Sequence, residues 1–109
     1  MICDQWDVVV VPFPFTERPG AKRRPALVLS KAVFNRGGFS ILAMVTSAAH
    51  LPWPGDVAIS QWQKVGLSTP CIVRLKLFTL DNRLILKIAG RLAEPDRASL
   101  ASSIHSHLL

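Results

Sequence analysis

The chain has 109 residues, half of them apolar, and its thirteen Lys and Arg outweigh seven Asp and Glu to leave a net charge of +6. That length and apolar share suit a single domain spanning 1–109 with its own core, and no linker, repeat or low-complexity segment divides it. No apolar run reaches the ~18 residues a membrane helix needs, and Met1-Ile2-Cys3-Asp4 lacks the basic-then-apolar layout of a secretory signal, so a cytoplasmic protein with no membrane contact is expected.

Val8-Val9-Val10-Val11, between Asp7 and Pro12, predicts a strand buried on both faces. Pro12-Phe13-Pro14-Phe15 continues extended into a loop from Thr16 to Arg23, where Pro19-Gly20 signals a turn. A second strand is expected over Arg24–Ser30, a turn at Asn35-Arg36-Gly37-Gly38, and a third strand over Phe39–Val45. Thr46-Ser47-Ala48-Ala49-His50 reads as a small-residue loop at the exit of that strand. Pro52-Trp53-Pro54-Gly55 is another turn, before a short strand Asp56–Ser60. After a link containing Trp62 and Gly66, Pro70–Leu77 is strand-like. Thr79–Arg83 reads as one helical turn, capped by Thr79 or Asp81, and Ile85–Leu92 as the last strand.

The tail changes period. Pro95 suits a first helical position, Glu94 and Asp96 favour a helix N-terminus, and Leu100, Ala101, Ile104 and Leu108 form one apolar stripe. Short strands, frequent Gly and Pro turns and one terminal helix predict a mainly β (α+β) fold, a small curled antiparallel barrel.

Cys3 and Cys71 are the only cysteines. A chain with this much core does not need a disulfide, so two reduced thiols are expected. His50, His105 and His107 show no ligand spacing relative to either cysteine, and no metal or other cofactor is expected.

The charge is unevenly distributed. From Arg18 to Gly55 there are six basic residues (Arg18, Lys22, Arg23, Arg24, Lys31, Arg36) and no acidic one, whereas the remainder balances seven against seven. A one-signed patch of this kind suits an anionic partner, and phosphate is the first candidate. Pro25 pushes Arg24 toward an extended conformation, which sets this cation where a loop becomes a strand. Arg24, Thr46, Ser47, Arg74 and Lys76 all fall near strand ends, where rigid scaffolds display sites. No motif for nucleotide triphosphates, a serine-nucleophile elbow or zinc is present. RNA is a plausible substrate because its 2′-hydroxyl already supplies a nucleophile. Cations and hydroxyl donors can then stabilise the phosphorane without a metal.

Asp7-Val8-Val9-Val10-Val11-Pro12-Phe13-Pro14-Phe15-Thr16 followed by Lys22-Arg23-Arg24-Pro25-Ala26-Leu27-Val28-Leu29-Ser30 resembles the opening of the MazF/PemK toxins of bacterial toxin–antitoxin systems. The resemblance continues through Val45-Thr46-Ser47, Trp53-Pro54-Gly55-Asp56-Val57, Gly66-Leu67, Cys71-Ile72-Val73-Arg74 and Leu77-Phe78-Thr79-Leu80-Asp81 to Gly90-Arg91-Leu92, in order and over nearly the whole chain. It implies an SH3-like β-barrel with short helices that forms a homodimer. It also implies a metal-independent, sequence-specific endoribonuclease that cuts single-stranded RNA, leaving 2′,3′-cyclic phosphate and 5′-hydroxyl ends. A small antitoxin would cover the same surface. The family's active-site arginine falls on Arg24 and its phosphate-binding threonine on Thr46, with Ser47 beside it. An arginine that some members use as proton donor or phosphate ligand falls on Arg74.

Three departures stand out, one being that the long first loop of some members carries a histidine absent here. Some members carry an acidic residue, proposed as general base, where this chain has Lys76, and a glycine is common where this chain has Trp6. The general acid and base therefore stay open. Arg18, Lys22, Arg23 and Lys76 are expected to contact RNA phosphates. Trp53, in a loop between prolines, is a candidate for stacking on bases or meeting the antitoxin, and Trp62 is expected to fill an apolar seam. An imidazole suits general-base chemistry, but no family motif supports His50, which is taken as a rim residue. Two other functions compete: a gyrase-poisoning toxin of the same fold, and a non-catalytic member that binds RNA or antitoxin. The ending Ser106-His107-Leu108-Leu109 lacks the Trp-containing motif of the gyrase poisons.

Overall fold

The computed structural model describes residues 1–14 and 22–109. Six strands are present: β1 (Asp7–Phe13), β2 (Lys22–Val28), β3 (Phe39–Ser47), β4 (Val57–Ala58), β5 (Cys71–Asp81) and β6 (Lys87–Arg91). They form one antiparallel sheet in the order β4-β5-β3-β2-β1-β6, curled into a half-barrel. Two helices, α1 (Ala32–Asn35) and α2 (Glu94–His107), and two 3-10 turns are the other elements among the described residues.

The valine run of β1 explains the curl. Strand side chains alternate between faces, and here both faces are packed, with Val10 alone of the four valines half-buried. Val8 joins one core cluster with Leu27, Val73, Leu92 and Leu100, while Val9 and Val11 join a second with Ala26, Leu42 and Leu80. The first cluster is closed by α2 and by the 3-10 turn Trp62–Val65, whose Trp62 packs against it as the sequence predicts. Cys3 belongs to the second cluster and Cys71 to the first, and both thiols are free and buried.

Several boundaries differ from the sequence reading. Thr46 and Ser47 are the last rungs of β3, paired with Ile72 and Cys71, rather than loop residues. Thr79–Arg83 is not a helical turn. Pairing of Phe39, Ser40 and Ile41 with Asp81, Leu80 and Thr79 keeps β5 extended, and the 3-10 turn comes later, at Asn82–Leu84. Its cap is Asp81, whose carboxylate accepts the Arg83 N–H at 2.9 Å. The strand expected over Asp56–Ser60 shrinks to Val57–Ala58. On α2 only Leu100 and Ile104 reach the core. Ala101 is exposed and Leu108 is 49% exposed, so the inward stripe is narrower than its spacing suggests. Asp96 turns inward instead, accepting hydrogen bonds from the Ser60 N–H at 2.9 Å and hydroxyl at 3.0 Å.

Trp6 occupies the left-handed region, with φ 77°, where a non-glycine residue costs of order 1–3 kcal/mol. Its backbone is pinned there: its N–H donates to Val28 O at 2.8 Å, and its carbonyl accepts the Leu92 N–H at 2.9 Å. Packing of the ring against the first cluster offsets the strain.

Candidate functional site

Pro25 has no N–H to donate, and the β2–β3 ladder ends one residue short of it, at Ala26 and Met44. Where that ladder stops, the ends of the two strands border a cleft of about 550 Å³. Arg23 and Arg24 enter its lining from β2, and Thr46 and Ser47 from β3. Val10 and Ala89 supply apolar wall, and Leu67-Ser68-Thr69 forms another part of the lining.

The Arg24 side chain is exposed and makes no hydrogen bond or ion pair with another described residue. Arg91 and Arg83, by contrast, are paired with Asp7 and Asp81. A guanidinium on a rigid strand, with no carboxylate partner among the described residues, is available to an incoming anion.

Thr46 is held by the β3–β5 ladder opposite Ile72. Its Oγ1 lies 2.7 Å from His50 Nδ1, a hydrogen bond that places His50 on the cleft wall as well. Sequence reading took His50 as a rim residue and did not pair it with Thr46. The available signal was its spacing, four residues beyond Thr46 across Ser47-Ala48-Ala49.

Arg74 belongs to a different constellation and does not line the cleft. Its Nε donates to Asp56 Oδ1 at 3.1 Å, and its Nη2 donates to Asp56 Oδ2 at 3.0 Å and to Leu51 O at 2.8 Å. The guanidinium also lies over the Trp53 ring, 5.5 Å from its centre. Both charged side chains are about 15% exposed. Asp56 further accepts the Trp53 N–H at 2.9 Å, so this carboxylate organises the whole Trp53–Asp56 turn. Gly55 in that turn has φ 84°, and a Cβ there would sit 2.5 Å from Leu75 Cδ1. Asp56 is the lone carboxylate between Glu17 and Asp81, which is the sequence signal for its pairing.

The other candidates are dispersed. Lys22 and Lys76 are exposed on β2 and β5 outside the cleft lining, Trp53 is 44% exposed beside Arg74, and Arg18 lies outside the described residues. Among the described residues no group of three His, Cys, Asp or Glu is placed to hold a metal ion.

Burial by itself would raise the Asp56 carboxyl, but hydrogen bonds from Arg74 and the Trp53 N–H, with the charge of Arg74, hold it below its ordinary value. Arg74 is raised by its hydrogen bonds to Asp56 and by the Asp56 charge, against the lowering effect of burial. A depressed folded-state carboxyl contributes stability above its unfolded pKa of ~3.9 and loses it as pH falls through the lower folded value. Asp56→Asn should therefore lower Tm by a few degrees at pH 7. The gap to wild type should close below about pH 4. Thermal melts of both proteins from pH 7 to pH 2 check this, and a gap independent of pH would show that the charge contributes nothing.

A curled six-stranded antiparallel sheet with a C-terminal helix, bordering a cleft lined by arginine and threonine, places the chain among small half-barrel β proteins. The family can be stated outright: residues 4–108 match the model of the PemK-like, MazF-like toxins of type II toxin–antitoxin systems, and the chain belongs to that family. Among solved structures, MazF from Deinococcus radiodurans is 26% identical, with a TM-score of 0.74 over 99% of this chain and 97% of that one. A MazE–MazF structure from the same organism is 25% identical, with a TM-score of 0.76 over 99% and 97%. A mycobacterial endoribonuclease in complex with its cognate antitoxin shares the fold at 16% identity, with a TM-score of 0.73 over 97% and 94%. No curated protein matches the chain significantly in sequence.

Proposed function

We propose that this toxin is a sequence-specific endoribonuclease that cuts single-stranded RNA without a metal ion and is silenced by a cognate antitoxin. The observation that carries the reading is the convergence of Arg24, bound to no described carboxylate, and the Thr46 hydroxyl on one cleft. The relatedness to a MazF seen with MazE supports the antitoxin partner. As in the resemblance drawn from sequence, the working unit is a homodimer.

In this mechanism the substrate's 2′-oxygen attacks the adjacent phosphorus and loses its proton, and the P–O5′ bond breaks as the 5′-oxygen gains one. The products are a 2′,3′-cyclic phosphate and a 5′-hydroxyl. Negative charge builds on the non-bridging oxygens, where a guanidinium fork and a hydroxyl donor on rigid strands are worth most. Arg24 and Thr46 take those roles. Arg23 and Lys22, with Arg18, hold flanking phosphates, and Ser47 lines the same wall. Arg74 and Trp53 act from their own cluster, Trp53 offering an exposed face for a base. Lys76 adds a phosphate contact on β5.

The test is to incubate purified protein with a long single-stranded RNA and EDTA, then map new 5′-hydroxyl ends. Cuts at recurring short sequences, at the same rate with and without chelator, are expected. Loss under EDTA restored by one divalent ion would overturn the metal-free mechanism. RNA that is bound but never cut would favour a binding-only family member.

A further inference from the structure

The turn after β3 is built to bring one ring back onto Thr46. Ser47 Oγ accepts the Ala49 N–H at 3.2 Å, the His50 N–H donates to Ser47 O at 3.2 Å, and the Ala48 N–H donates to Pro70 O at 3.0 Å. The chain reverses over the end of its own strand, and His50 Nδ1 arrives 2.7 Å from Thr46 Oγ1. Both residues line the cleft that Arg24 enters.

A threonine hydroxyl has one hydrogen and two lone pairs, so the direction of this bond decides what Thr46 can offer. If Thr46 donates to Nδ1, its hydrogen is spent on the ring, and only lone pairs face an anion in the cleft. If an Nδ1–H donates to Oγ1, the hydroxyl hydrogen is left free to reach a phosphoryl oxygen. The other charged or titratable groups lining the cleft are Arg23, Arg24 and the Cys71 thiol. Guanidinium groups carry no acceptor, and the Ser47 hydroxyl oxygen is already engaged by Ala49.

We propose that His50 is a positioning residue: its Nδ1–H donates to Thr46 Oγ1 and so aims the Thr46 hydroxyl hydrogen at the RNA phosphate. The proposal rests on the function above, in which Thr46 is a phosphate donor. It adds a residue that touches no reacting atom and acts only through Thr46. An asparagine at this position can present an amide N–H near the place of Nδ1, whereas phenylalanine keeps the bulk and removes the donor.

Single-turnover cleavage of the long RNA at saturating protein should fall roughly 10–100-fold in His50→Phe, the scale of a misplaced catalytic group. RNA affinity should stay within about twofold, because the hydrogen bond orients a donor and adds no charge. His50→Asn should recover to within a few-fold of wild type. Equal losses in both variants would mean that His50 moves a proton, and unchanged rates in both would mean that the bond is idle. Either result overturns the positioning role. A second readout is independent of activity: a long-range ¹H–¹⁵N spectrum of the free protein, with the His50 ring identified by its loss in His50→Asn. A hydrogen on Nδ1 is expected, and a bare Nδ1 overturns the proposal even if RNA is cut. If Nδ1 carries its hydrogen while wild-type protein cuts no RNA, the cleavage function fails and the His50 geometry stands.

Discussion

Arg24→Ala should abolish RNA cleavage in a protein that remains folded. The side chain is exposed and bonded to no described residue, so its removal takes nothing from the core or from any described ion pair. What it removes is a planar, permanently charged donor at the mouth of the cleft. Loss of one donor that meets developing transition-state charge costs about 10²–10³ in rate. Arg24→Lys should recover little, because a point charge on a flexible stem cannot reproduce a two-pronged fork. Unchanged melting curves alongside single-turnover cleavage rates are the measurement. A folded Arg24→Ala protein that cuts RNA at the wild-type rate would remove Arg24 from the mechanism.

Thr46→Val should act on the chemical step rather than on binding. Valine keeps the shape and suits a strand, so the rung opposite Ile72 survives. The lost hydroxyl is a neutral donor, and its absence should leave the salt dependence of RNA binding nearly intact. The saturated cleavage rate should drop by about 10²-fold, near the lower end for a transition-state donor. Lys22→Ala is the control, exposed and outside the cleft lining. It should weaken binding to all sequences alike and flatten the log–log salt slope by roughly 0.7, the share of one single-strand phosphate contact. The cut site should not change, since phosphate contacts position and base contacts specify. If Thr46→Val loses affinity alone, Thr46 is a binding residue and the chemistry rests on Arg24.

The strands were legible where local chemistry and burial agree. A four-valine run bounded by proline favours a two-faced buried strand through β-branching and length, and β1 is that strand. α1 was not legible, because four residues carry too little period to separate a helical turn from the Asn35–Gly38 turn that follows it. Its anchor is tertiary: buried Asn35 donates to Cys3 O at 2.9 Å and Ser30 O at 3.0 Å, while Asn82 Nδ2 donates to the Asn35 carbonyl at 2.6 Å. The end of β5 was misread for a related reason. Asp81-Asn82 looks like a helix cap, and only pairing with Phe39–Ile41 keeps the preceding residues extended.

At the site, sequence by itself determined which residue types are present and where they stand along the chain. A one-signed basic segment, a proline that keeps Arg24 extended, and a Thr-Ser pair after an apolar strand-like run follow from charge and backbone sterics, whereas pairing starts β2 earlier, at Lys22, and carries β3 through Ser47. The tertiary structure decided which of them meet. It set Arg24 and Thr46 in the lining of one cleft, gave Thr46 a partner in His50, and held Arg74 on Asp56 and the Trp53 ring. Hydrogen bonds and ion pairs depend on sub-ångström placement and direction in space. Sheet register and turn closure set that placement through contacts distant in sequence, so spacing along the chain could not assign these partners.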